Sequence, residues 1–297
     1  MIYVPFVYFT LLFLYIIKRN KFDVSAYITL LYIITSFFAI LIHHFDYQPF
    51  SRYKLSIIPT IVYCGLVSLA IYPIFRFKSN NINGISFRNI KFINFITYFY
   101  FLSFIILVIA YKDDIIFRFT YGDFGEMRGD DDLGLRQYPG IFESILLPIR
   151  LFAYLSYIMI FIFFFSISFL RKSTFFNFMA ITGSLPVILM GILGIDRSRS
   201  FYWIIILGLS IVLFWKYIDK KKKIKIIPIV STLLILTVIY MVLVTNSRFG
   251  ERDTGNKGGV ITYAGQSYIN YCYFWDNFEN PGGLSTKYLF PATHYWI

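Results

Sequence analysis

Charge is what this sequence has least of. Charged residues fill 15% of its 297 positions and hydrophobic ones 58%, against about 25% and 45–50% in soluble domains. An ordinary water-soluble globule is excluded, and the chain reads as an integral membrane protein. Cysteine is also scarce. Cys64 sits inside an apolar run and Cys272 in a distant loop, so no disulfide is predicted and little follows about redox compartment. A Rossmann glycine fingerprint, a Walker A loop and a nucleophile elbow are missing, and no repeat of fixed period is evident. No cleavable signal peptide is predicted, because the first charge, Lys18, follows the first apolar run instead of preceding it. The net charge of +12 does not point to nucleic acid, because the positive excess lies in short loops beside apolar segments.

Apolar runs are what the sequence does have. About 20 residues cross the hydrocarbon layer, and eight runs approach or reach that length: 2–17, 24–42, 57–75, 92–111, 151–170, 175–195, 201–217 and 226–245. They are too long and too uniformly apolar for barrel strands, and lipid leaves only the helix to satisfy their backbones. The predicted fold is an all-α, polytopic transmembrane bundle of about eight spans with two long outer segments. Its parts are 1–111, the first four spans; 112–150, an outer loop with an interfacial helix; 151–245, spans five to eight; and 246–297, an outer segment.

Orientation follows from the loops. The loop 18–23 and those that alternation places with it, 76–91, 171–174 and 216–225, hold 15 of the 28 basic residues and only Asp23 and Asp219 among the acids. The positive-inside rule therefore predicts these loops cytoplasmic, and the amino terminus and both long segments outside. Lys220 to Lys223 serve as a topology anchor that also contacts anionic lipid.

The outer side carries the chemistry. Asp196-Arg197-Ser198-Arg199-Ser200 joins two long apolar runs, and Asn246-Ser247-Arg248-Phe249-Gly250-Glu251-Arg252-Asp253 follows the next pair. Charges beside membrane segments mark functional sites by default. The run 201–217 starts outside, so its N–H groups and positive dipole end face outward, with Ser198 or Ser200 as the expected cap. Helix amino termini bind phosphate-like anions, and arginine adds a planar fork that stays charged. Arg197, Arg199, Arg248 and Arg252 are thus predicted to form an anion site, in turns that do not pack the bundle. The bland alternative is snorkelling to lipid phosphate. Arg128 and Arg136, interleaved with Asp123, Glu126, Asp130, Asp131 and Asp132, form a solvated loop or a rim of that site; the acids do not match a calcium loop. His43 and His44 read as a polar edge, no third metal ligand being suitably spaced. The aromatic stretch after Val260, with Tyr263 and Gln266, suits a membrane-surface helix or a sugar.

The long mid-chain outer loop, the arginine pair in an outer turn, and the outer arginine segment leading to Tyr263-Ala264-Gly265-Gln266 together resemble the bacterial polymerases of O-antigen and capsule repeat units, the Wzy class. The resemblance implies a polytopic glycosyltransferase of the bacterial inner membrane that joins oligosaccharide units carried on undecaprenyl pyrophosphate. It implies no cofactor, metal or nucleotide sugar. The partners it implies are lipid-linked glycans, membrane lipids and a chain-length regulator. Arg197, Arg199, Arg248 and Arg252 would hold the pyrophosphate, with Arg128, Arg136, Tyr263 and Gln266 at the substrate. Family members usually continue through further spans beyond such a segment, so a chain truncated after 246–297 is the expectation. Asp196, Glu251, Asp253 and His294 are the candidate bases. Rival readings are an O-antigen ligase, a metal-dependent lipid-phosphate-sugar transferase, and a flippase or other transporter. The second expects acids in the first outer loop, where only Asp46 stands; the third expects charges deep within spans.

Overall fold

The computed structural model describes residues 1–20, 22–45, 54–77, 89–121, 141–170, 172–249 and 259–277. Every regular element among them is helical. In chain order these are Tyr3–Asn20 (α1), Val24–Phe45 (α2), Ile57–Arg76 (α3), Ile90–Ala110 (α4), Lys112–Tyr121 (α5), Ile141–Ala153 (α6), Ile158–Phe165 (α7), Thr174–Thr182 (α8), Pro186–Leu193 (α9), Arg197–Phe214 (α10), Lys220–Phe249 (α11) and Gly259–Asn277 (α12).

Six of the described helical stretches are long and apolar enough to cross a membrane: α2, α3, α4, α8 with α9, α10 through Tyr217, and α11. A seventh is present if α6 and α7, bent by 68° at their junction, are one span. The sequence predicted about eight. The difference lies in α1, an 18-residue helix with Lys18 and Arg19 in its last turn, which falls outside this set.

Two of the bundle's buried apolar clusters position the site. The larger gathers Trp203, Phe214, Phe164, Met159 and Val187 from α7 to α10, with Tyr100 of α4 and Val230 of α11. The pair α8–α9 is its centre, with 67% of its residues buried against 17% for α11. The smaller core joins α1, α2 and α12 through Ile2, Ala39, Ile40, Tyr268 and Cys272. Tyr27 of α2 donates to the Ile205 carbonyl of α10 at 3.1 Å and ties the two together.

The central helices are broken, and the breaks are pinned to each other. A broken helix frees backbone groups that lipid cannot satisfy. Here Ser156, between α6 and α7, donates to the Ser184 carbonyl at 3.4 Å and accepts from the Val187 N–H at 3.1 Å, both at the α8–α9 break. The Trp203 indole N–H closes the cluster on the Ser184 hydroxyl at 3.1 Å. One serine thus fixes both discontinuities, and with them Tyr154 and Tyr157, its neighbours in the first break.

Two expectations are corrected. Residues 112–121 form helix α5 rather than loop. Cys272 lies on helix α12, not in a loop, and α12 packs into the bundle instead of resting on its surface: Tyr268, Ile269 and Cys272 are buried. Gly265 permits this, since a Cβ there would stand 2.4 Å from the backbone of Phe38 and Ala39 on α2. Both cysteines are free and buried.

Candidate functional site

The site is built on the turn between α9 and α10. Helix α9 ends with Ile195 N–H on the Ile192 carbonyl at 3.2 Å and Asp196 N–H on the Gly191 carbonyl at 2.8 Å. That bond pair is the Schellman arrangement, whose left-handed residue is ordinarily glycine. Here it is Ile195, at φ 49°. A β-branched residue in that region costs about 1–3 kcal/mol and persists where surrounding contacts over-determine it. Ile195 is 2% exposed and packs on Tyr240 and Val244 of α11. Gly191 is needed as well, because a Cβ would lie 2.9 Å from the Asp196 carbonyl oxygen. The Gly191 carbonyl also accepts the Tyr240 hydroxyl at 2.9 Å.

This turn aims the arginines. The cap of α10 is Asp196, not Ser198 or Ser200: its carboxylate accepts the Ser198 N–H at 2.9 Å and the Ser198 hydroxyl. The same carboxylate meets Arg199 Nε at 3.0 Å. The Arg199 guanidinium lies 4.4 Å from the Tyr154 ring centroid, and Tyr157 donates to the Arg199 carbonyl at 3.2 Å. Arg199 is thus held on three sides. Its Nη1 nevertheless is buried with no hydrogen-bond partner among the described residues, as is the Ser200 hydroxyl. A buried donor left unpaired costs about 1–3 kcal/mol.

Arg197 packs into the bundle, contrary to expectation. It is 8% exposed, and its Nη1 donates to Thr245 of α11 at 2.7 Å. Snorkelling to bulk lipid is therefore the wrong description of Arg197.

A third arginine, not singled out from the sequence, joins them. Arg118 of α5 is 6% exposed. Burial pulls its pKa below the ordinary arginine value, while the charge of Asp114, one turn earlier, acts the other way. Tyr240 of α11 packs on Ile195, bonds the Gly191 carbonyl and lines a groove with Ile115 and Phe119 of α5, so α5, α11 and the turn before α10 meet around it. The Asp114–Arg118 spacing, four residues apart with the acid first, is a helix-pairing signal; it was hidden while 112–150 read as loop.

Tyr240 also lines an apolar groove of about 480 Å³ between α4, α5, α9 and α11, walled by Phe104, Phe119, Leu189, Leu236 and Leu243. The groove and the arginine cluster share this one residue.

The remaining predicted residues are placed unevenly. Arg248 falls in the last turn of α11, three residues after Thr245, and its side chain lies outside the description. Arg252, Arg128 and Arg136 lie outside the described residues, as do Glu251, Asp253 and His294. Tyr263 is on α12, its side chain also outside the description. Gln266 is half-buried on α12 beside Gly265, where that helix meets α2. Asp196 is occupied by capping α10 and by Arg199. His44 hydrogen-bonds Tyr3 at the start of α1.

Comparison with known proteins gives no match: no family model, no curated protein and no solved structure.

Proposed function

We propose that this chain is a membrane glycosyltransferase that polymerises undecaprenyl-pyrophosphate-linked oligosaccharide repeat units at the outer face of the inner membrane. The observation that supports this reading is the junction at Tyr240, which lines an apolar groove and also bonds Gly191 and packs on Ile195 in the arginine turn. A polyprenyl pyrophosphate has this same division, an anionic head on an apolar chain. The groove has room for the first isoprene units, and the rest of the chain stays in the bilayer.

In this reading the acceptor hydroxyl oxygen attacks the anomeric carbon of the donor glycan. The bond from that carbon to the pyrophosphate oxygen breaks, undecaprenyl pyrophosphate departs, and the hydroxyl proton passes to its phosphate oxygens or to water. Negative charge grows on the departing pyrophosphate, and Arg118, Arg197 and Arg199 oppose it from fixed positions in a poorly hydrated site. The unpaired Arg199 Nη1 is the donor best placed to gain a partner at that moment. Ser200, buried beside it, supplies a second unpaired group. Asp196 holds Arg199 in register and does not serve as the base. Arg248, carried to the same end by α11, is a further pyrophosphate ligand in this scheme.

The test is the surface polymer ladder in cells deleted for the native gene. Arg199→Ala is expected to abolish the ladder at normal membrane abundance; an unchanged ladder would contradict the proposal.

One observation favours transport instead. Broken helices commonly frame transporter sites, and α6–α7 and α8–α9 are both broken. Lipid-linked units supplied directly to the outer face separate the two readings: a polymerase extends them without further help, whereas a flippase leaves them unjoined.

A further inference from the structure

At the end of the bundle opposite the arginine turn, α1 and α3 separate around a cavity of about 500 Å³. Leu12, Ile16 and Phe75 wall it, and Arg19 and Arg76 stand at its rim. Each arginine is held by the tyrosine one turn before it. Arg19 Nη1 donates to the Tyr15 hydroxyl at 3.2 Å, and Arg76 Nη2 to the Tyr72 hydroxyl at 2.6 Å. The Arg76 guanidinium also lies 4.9 Å from the Tyr72 ring centroid. The ion pairs seen among the described residues, Asp196–Arg199 and Asp219–Lys222, involve neither of them.

A cation in the last turn of a helix is ordinary, because it complements the helix dipole. That accounts for one arginine on each helix. It does not account for two guanidinium groups, each braced by a phenol, facing one cavity whose described lining holds no carboxylate. Like charges so placed repel, and a shared anion reverses the sign of the interaction. The position is also informative: Lys18 and Arg19 stand in the last turn of α1 and Arg76 in the last turn of α3, the end where charge follows an apolar run.

We propose that this cavity binds an anionic phospholipid, its phosphate between Arg19 and Arg76 and an acyl chain against Leu12, Ile16 and Phe75. The charge is complementary, arginine forks suit phosphate oxygens, and the apolar wall gives the chain a surface that a free anion would not use. The site is separate from the arginine turn, and its occupancy does not depend on the polymerase reading.

Native mass spectrometry of the whole chain tests it, with phosphatidylglycerol, phosphatidylcholine of the same acyl composition, and inorganic phosphate as probes. The chain is expected to retain one phosphatidylglycerol under activation that strips phosphatidylcholine. Arg19→Gln with Arg76→Gln should weaken that retention about tenfold or more, as expected for losing a charge-assisted hydrogen bond. Tyr72→Phe, which keeps the cation and the ring, should weaken it less. Lys91→Gln, at an exposed lysine at the start of α4, should leave it unchanged. Equal retention of the two lipids would overturn the proposal. So would a lysine variant as deficient as the arginine pair, which would mean diffuse attraction. Displacement of the lipid by inorganic phosphate at matched concentration would also overturn it, since the acyl chain would then contribute nothing.

Discussion

At the scale of the residue, the arginine turn is over-determined, and single changes should separate its roles. Arg197 is buried and bonded to Thr245, so Arg197→Ala should lower both the melting temperature in detergent and the activity; a charge-assisted hydrogen bond contributes about 1.5–3 kcal/mol. Arg199 is less committed, and Arg199→Lys keeps the charge while losing the fork. It should slow polymerisation about ten- to a hundredfold with little change in melting temperature, if the lost bond strengthens only in the transition state. A ladder of unaltered length with Arg199→Lys would mean that charge alone suffices. Gly191→Ala forces a methyl within 2.9 Å of the Asp196 carbonyl, and overpacking of this kind costs about 1–3 kcal/mol; it should destabilise the fold and disable the turn together. The sequence made Arg197 and Arg199 visible because they interrupt apolar runs. Arg118 stayed hidden, because its helix is short and polar and reads as loop. Tyr240 stayed hidden because one tyrosine in a 30-residue apolar helix carries no signal until its neighbours are known.

At the scale of the element, broken helices matter more than intact ones. Ser156, in the first break, satisfies two groups at the second, and Ser156→Ala leaves the Val187 N–H without its partner in an apolar surrounding, a cost of about 1–3 kcal/mol. The same change loosens Tyr154 and Tyr157, which brace Arg199. Ser156→Ala is therefore expected to lower both the melting temperature and the ladder, although it touches no substrate; full activity with a normal melting temperature would contradict this account of the breaks. Glycine and proline can kink a spanning helix, so the sequence alone makes a bend at Gly183 and Pro186 intelligible. It did not show that a serine 28 residues away in the chain supports the bend, because such a bond is a tertiary fact. Helix α12 was misjudged for a related reason. Its Tyr, Asn and Gln content reads as a surface helix, and only the pressing of Gly265 onto α2 shows that it is packed.

At the scale of the molecule, the basic loops and the arginine turn occupy opposite ends of the bundle, with Lys222 reaching the Ile167 carbonyl at one end and Arg197 reaching Thr245 at the other. The positive-inside count predicts that the first end is cytoplasmic. Reporter fusions at Asn83 and Lys222 should therefore read cytoplasmic and those at Asp131 and Asn256 external; a reversed pattern would turn the arginines to the cytoplasm and remove the proposed reaction. The helical, membrane-embedded character of the chain was plain in its apolar runs, whereas the number of spans was not, because length and hydropathy treat α1 and the bent α6–α7 pair ambiguously. The central claim is that one site takes a lipid pyrophosphate, head on the arginines and chain in the groove. Its most direct test is binding of undecaprenyl pyrophosphate to the purified chain, compared with undecaprenol and with inorganic pyrophosphate. The pyrophosphate lipid should bind more tightly than either part alone. Arg199→Ala should weaken it about tenfold or more, the loss of one charge-assisted hydrogen bond, while leaving undecaprenol binding unchanged. Equal affinity for undecaprenol and its pyrophosphate, or an Arg199→Ala variant that binds as the native chain does, would contradict the claim.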